Sequence, residues 1–118
     1  MIVKVPSEYP ASVLVVSRFR VSAADADAFR RDMEAAHAAL AARPGYERGN
    51  VGRNVDDPEL WVLSTQWEHV GAYRRALSAY DVKMHAVPLL SRALDEPSAY
   101  EVVEPDTDLN IASPRALG

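Results

Sequence analysis

"STQWEHVGAYRRALSAYD", Ser64 to Asp81, decides how the chain folds. It reads as the end of a strand, a sharp turn and the start of a helix. Trp67 closes an alternating run, and Tyr73 follows in a helical pattern. An indole and a phenol on either side of such a turn admit two readings. They seal the seam between a sheet and a helix, or they form the mouth of a cleft that suits a flat aromatic ligand. In the second case they offer stacking surface and one hydrogen-bond donor each.

Working outward, "ELWVLSTQW", Glu59 to Trp67, is the clearest strand. Trp61, Leu63, Thr65 and Trp67 fall on one face, with Leu60, Val62, Ser64 and Gln66 on the other. The preceding "YERGNVGRNVDD", Tyr46 to Asp57, is a weaker strand carrying two glycines, and Asp57-Pro58 turns the chain into an antiparallel hairpin. "SVLVVSRFRV", Ser12 to Val21, is a third strand. Both of its faces are apolar at the start, so we expect it to be central and covered on both sides.

The Ala-rich "SAADADAFRRDMEAAHAALAARPG" reads as a helix. Ser22 is the expected N-cap, with Asp25 in the capping-box position. Phe29, Met33, His37 and Leu40 form one stripe, and Pro44-Gly45 stops the helix. After Trp67 a helical pattern resumes near Val70, with Tyr73, Ala76, Leu77 and Tyr80 as its stripe. Asp81 is placed to cap a further short helix through Lys83, Met84 and His85. Pro88 interrupts it, "LLSRALDEP" adds another turn or two, and Ser98 to Glu104 form a last short strand.

The order strand, helix, strand, strand, helix, strand predicts an α+β, ferredoxin-like split βαβ fold with an antiparallel sheet. Helices then lie on one face only, and the other face needs cover. In a chain of 118 residues the expected cover is a second copy, which predicts a homodimer. Residues 12–103 form the expected domain, 1–11 an arm interrupted by Pro6 and Pro10, and 104–118 a polar tail.

The net charge of −4 argues against a nucleic-acid partner, and Arg30, Arg31, Arg74 and Arg75 read as solvated helix faces. There is no cysteine, which removes disulfides, thiolate nucleophiles and cysteine metal sites. "MIVKVPSEYP" lacks a signal-peptide pattern and "ASVLVV" is too short to span a bilayer, so the expectation is a soluble cytoplasmic protein without membrane contact.

Phosphate loops, nucleophile elbows and HExxH are absent. No two of the three histidines share helical spacing, and no metal site is expected. His37 is either a hydrogen-bonded core histidine or a cavity-lining base. His69 reads as solvated. His85 reads as a surface or interface residue, with haem iron ligation as the alternative.

Several of these stretches together resemble the antibiotic biosynthesis monooxygenase domain. The resemblance rests on Phe29 of the first helix, Pro44-Gly45, the W-E-x-x-x-A-Y run from Trp67 to Tyr73, and the closing P-x-x-Y-E from Pro97 to Glu101. It covers roughly residues 12–103 and implies a dimeric α+β barrel. It also implies cofactor-independent oxidation of an aromatic phenol to a quinone by molecular oxygen, the substrate phenolate supplying the electrons. Residues matching the polyketide-oxidising members are Gln66, Trp67 and Tyr73. The Asn and the basic residue of those members fall at Leu63 and near Ala86. The haem-degrading branch has the same fold, and its ligand His falls near His85, its other site positions at Ser17 and Ala76.

The resemblance leads us to expect a small oxygenase for an aromatic, phenolic or quinone-like substrate, without a cofactor. Trp67, Tyr73, His37 and His85 are the candidate catalytic residues. Phe29, Met33, Leu63 and Gln66 are the candidate substrate-binding residues. The alternatives are a non-catalytic dimeric barrel that binds a small hydrophobic ligand or a partner, and a haem-degrading monooxygenase.

Overall fold

Alternation of apolar side chains drives three strands together in the computed structural model, which describes residues 11–109. Strand β1 (Val13–Arg20) buries every second residue, and β3 (Leu60–Trp67) does the same. Their antiparallel register sets Val13 opposite Trp67, Val15 opposite Thr65, Ser17 opposite Leu63 and Phe19 opposite Trp61. One face of the pair is therefore continuous and buried, as a period of two requires. Strand β2 (Tyr46–Arg53) joins the other edge of β3 with an irregularity between Tyr46 and Arg48. The short β4 (Ala99–Glu101) pairs with Val13–Val15 of β1. The sheet order is β2-β3-β1-β4 and every pairing is antiparallel, which is the expected ferredoxin-like α+β arrangement.

The hairpin between β2 and β3 is closed by side chains. Asn54 Oδ1 accepts the amides of Asp56 and Asp57, and Asp57 Oδ1 accepts that of Glu59. This is how Asx residues hold turns.

Helix α1 (Ala26–Ala41) lies on the buried face, inserting Phe29, Met33, Ala36 and Leu40. Phe29 sits between Phe19 and Trp61, with ring centroids 5.2 and 5.6 Å away. The expected capping box does not form. Residues 23–25 make a 3-10 turn, and the Ser22 hydroxyl donates to the Asp25 carboxylate at 2.9 Å rather than accepting a backbone amide. Gly45 turns the chain from α1 into β2 with φ +89, and a Cβ there would overlap that of Ala72, so both conformation and space require glycine.

Beyond Trp67 come α2 (Val70–Leu77), α3 (Tyr80–His85) and α4 (Val87–Leu90). Pro88 opens α4 in its first turn, where a missing amide costs nothing. Tyr80 does not continue the stripe expected for this helix, because α2 ends at Leu77. Ser78 and Ala79 tighten the end of α2 with bonds to Arg75 and Ala76, and Ala79 turns extended. The chain therefore changes direction, Val82 takes the buried place and Tyr80 is 75% exposed.

Two strand expectations also change. The last strand covers Ala99–Glu101 rather than Ser98–Glu104. Among the described residues, central β1 is covered by helices on one face only, and Leu14, Val16 and Arg18 on the other are half-buried. The expected arm, and the tail beyond residue 109, lie outside the described residues, apart from Ala11. Among the described residues no helix is long and apolar enough to cross a membrane. Arg30, Arg31, Arg74 and Arg75 are exposed, as expected.

Candidate functional site

Because β4 stops pairing at Val15, the β1 edge from Val16 to Arg18 has no full strand beside it. The segment 94–98 arches past that edge instead. It is held at its ends by Leu94 N–H to the Arg18 carbonyl (2.8 Å) and Val16 N–H to the Ser98 carbonyl (2.7 Å). Between this arch, α2 and α4 lies a cleft of about 700 Å³, within the range that small-molecule sites occupy. Its apolar wall is Val16, Leu77, Val87 and Leu90. Its polar side carries Ser17, Tyr73, Arg18, Asp95 and Glu96.

Tyr73 projects from the first turn of α2. Its hydroxyl has no hydrogen-bond partner among the described residues. Burial pushes the phenol up from its ordinary 10.0, so near neutral pH it is protonated and able to donate. Behind it stands Trp67, ring centroids 5.6 Å apart. Trp67 is 0% exposed, and its indole N–H donates to Thr65 Oγ1 at 2.9 Å. The indole thus backs the phenol without itself lining the cleft. The Ser64–Asp81 stretch serves both purposes: Trp67 seals the seam, and Tyr73 faces the cavity.

Arg18 and Glu96 form a two-pronged ion pair at the cleft edge, Nε to Oε1 at 2.6 Å and Nη2 to Oε2 at 2.8 Å. The Arg18 hydrogen bond holds the Glu96 carboxyl below its ordinary 4.5 and raises the Arg18 guanidinium. Both side chains are part-exposed, so solvent screens the pair.

The other expected site residues are dispersed. Phe29, Met33 and Leu63 are core side chains, 1, 0 and 2% exposed. Gln66 is half-buried on the sheet face opposite the helices. His37 Nε2 is 2.7 Å from the Tyr46 hydroxyl, where it ties α1 to β2. His85 is exposed beside a smaller hollow of about 290 Å³ with Asp32, Met84, Pro88 and Arg92. His69, expected to be solvated, instead caps α2: its Nδ1 accepts the Ala72 amide at 3.2 Å. Of the eight expected residues, Tyr73 alone lines this cleft among the described residues. No group of three or more His, Asp or Glu among the described residues is placed to hold a metal ion.

Sequence reading missed Arg18, Asp95 and Glu96. An arginine in the second half of β1, alternating with Ser17 and Phe19, was the one signal. Its partner lies 78 residues away and leaves no local pattern.

Comparison with solved structures gives several matches. SnoaB, a cofactor-independent oxygenase from Streptomyces nogalater, is 28% identical, with TM-score 0.67, covering 80% of this chain and 95% of SnoaB. A conserved protein from Methanosarcina mazei Go1 is 19% identical, with TM-score 0.65, over 77% of this chain and 92% of its own. Rv0793 from Mycobacterium tuberculosis is 17% identical, with TM-score 0.62, over 87% of this chain and 100% of its own. These last two show the fold alone. No curated protein matches the chain. The family profile described as antibiotic biosynthesis monooxygenase matches residues 12–85, well over half the chain. The chain therefore belongs to the antibiotic biosynthesis monooxygenase family.

Proposed function

We propose that the chain is a cofactor-independent oxygenase acting on a small aromatic, phenolic or quinone-like molecule seated in the Tyr73 cleft. The observation that carries this reading is a protonated phenol, without a hydrogen-bond partner among the described residues, facing the apolar wall of a cleft large enough for a fused-ring ligand. Likeness to SnoaB, itself a cofactor-independent oxygenase, supports it.

In this reading Leu77, Val87 and Leu90 hold the ring system. The Tyr73 hydroxyl donates to a substrate oxygen and fixes which ring position faces oxygen. Trp67 keeps Tyr73 in place from behind. The substrate phenol loses its proton to water at the open mouth, and the phenolate supplies the electrons. For an anthrone, the ring methylene loses two hydrogens and gains one oxygen atom. The second atom of molecular oxygen leaves as water. His37 and His85 stand away from this cleft, so the reading gives neither the role of base.

Oxygen uptake with simple hydroquinones and anthrones tests the reading, with the product mass identified. Uptake above buffer, reduced in Tyr73→Phe, is the expected result. No uptake above buffer overturns it. A second reading, a non-catalytic barrel that binds a small hydrophobic ligand, is favoured by Leu63 and Ala86. Both are apolar and buried, at 2 and 0% exposed. A ligand-induced rise in melting temperature with no oxidised product would select that reading.

We also assign the chain a homodimeric state, with the helix-free sheet face as the contact, and a cytoplasmic location. The half-buried apolar residues of that face and the cysteine-free composition support these two assignments.

A further inference from the structure

The rim of the Tyr73 cleft carries an uneven charge. Among the described residues its charged lining is Arg18 against two carboxylates, Asp95 and Glu96. Arg18 is already engaged. Its Nε and Nη2 reach both oxygens of Glu96, so its charge is already matched by a carboxylate of this chain. Asp95 is exposed and has no ion-pair partner among the described residues. Deeper in, the polar groups are the uncharged hydroxyls of Ser17 and Tyr73.

We infer that the cleft selects an uncharged phenolic molecule over a carboxylated one of the same shape, with Asp95 and Glu96 as its specificity-determining residues. The inference rests on the proposed seating of the substrate beside Tyr73. An anionic ligand meets Asp95 at the rim without compensation. Arg18, its charge already matched by Glu96, gives that ligand little net attraction, and drawing it away would strand a second carboxylate. A neutral phenol does neither and still exchanges a hydrogen bond with Tyr73. One unbalanced charge at a half-exposed rim changes affinity by about three- to ten-fold, less in high salt.

The test uses two probes of equal outline: a dihydroxy-methylanthraquinone, and the analogue with carboxylate in place of the methyl. Both are titrated by fluorescence against the full chain, below the pH at which the phenols ionise. The expected result is tighter binding of the methyl compound by about three- to ten-fold, with the gap closing as salt rises. Asp95→Asn narrows the gap. Glu96→Gln, which releases Arg18, reverses it. Asp95→Asn is an exposed isosteric change and keeps the test valid even if Glu96→Gln loosens the arch. Equal or tighter binding of the carboxylate by the unaltered chain overturns the selectivity and leaves the cleft reading standing. Binding of neither probe, or binding unaffected by Tyr73→Trp, overturns the cleft reading and the selectivity with it.

Discussion

His37 Nε2 and the Tyr46 hydroxyl meet at 2.7 Å directly above Gly49, so that a bond between helix and sheet depends on a glycine. A Cβ on residue 49 would stand 2.8 Å from the Tyr46 hydroxyl, 2.9 Å from His37 Nε2 and 2.6 Å from the Ser64 carbonyl. The side chains can swing away, but the carbonyl belongs to the central ladder and cannot. Gly49→Ala should therefore destabilise the fold by about 1–3 kcal/mol, the usual cost of overpacking. Urea unfolding measures this. His37→Phe, which loses the bond but not the strand geometry, should cost less. An unchanged urea midpoint in Gly49→Ala would show that β2 yields at this point.

Trp67 is a packing residue with a satisfied donor. Its removal in Trp67→Ala should cost about 3–5 kcal/mol, as for other large core aromatics. Thr65→Val tests the donor alone. It keeps the shape and leaves a buried indole N–H without its 2.9 Å partner, which should cost about 1–3 kcal/mol. A thermal melt reads both. A nearly neutral Trp67→Ala would instead mean that the indole stands in a solvated cavity.

These two residues show what the sequence could and could not convey. Alternation along Val13–Arg20 and Leu60–Trp67 exposes a period of two, which identifies both strands and the face each buries. Trp67 and Tyr73 look alike as aromatic residues flanking a turn. Only their burial and partners separate the one that packs from the one that faces the cleft. Tyr80 was misplaced because Ser78 and Ala79 tolerate a helix as readily as the break they actually form. The Arg18–Glu96 pair was invisible because its members meet through the arch after α4 and not through any local spacing. His69 was missed as a cap because histidine is not among the residues that usually perform that task.

The response to pH follows from the displaced groups. Burial pushes Tyr46 and Tyr73 above the ordinary 10.0, so the folded state resists phenolate formation. The unfolded chain gives up these protons first. The contribution is thus complete below about pH 10 and is lost as pH rises through the raised folded values. At the acid end, hydrogen bonds hold Glu96 below 4.5 and Asp57 below 3.8. Their contribution is present above those values and is lost as pH falls through the depressed ones. Urea midpoints should fall at both ends. Tyr73→Phe should flatten the alkaline fall and Glu96→Gln the acid one. An alkaline profile unchanged in Tyr73→Phe would place that phenol in contact with bulk water.

Among the described residues no helix covers the second face of the sheet. Leu14 and Val16 of β1 share it with Leu60 and Val62 of β3, and each of these is half-buried. Val62 lies near the middle, opposite Arg18 on one side and Gly52 on the other. It packs so near Gly52 that a Cβ there would stand 3.1 Å from Val62 Cγ1. A second copy laid face to face would bury what this half-buried apolar strip still exposes. Light scattering on the unaltered chain should give the mass of a dimer. Val62→Lys sets a charge at the centre of the contact, where an unpaired buried charge is not tolerated. It should therefore yield a folded monomer with unchanged far-ultraviolet dichroism. Arg75→Glu on the exposed side of α2 should leave the dimer intact. A monomeric mass for the unaltered chain at micromolar concentration would remove the dimer, and a dimeric Val62→Lys would move the contact to another face.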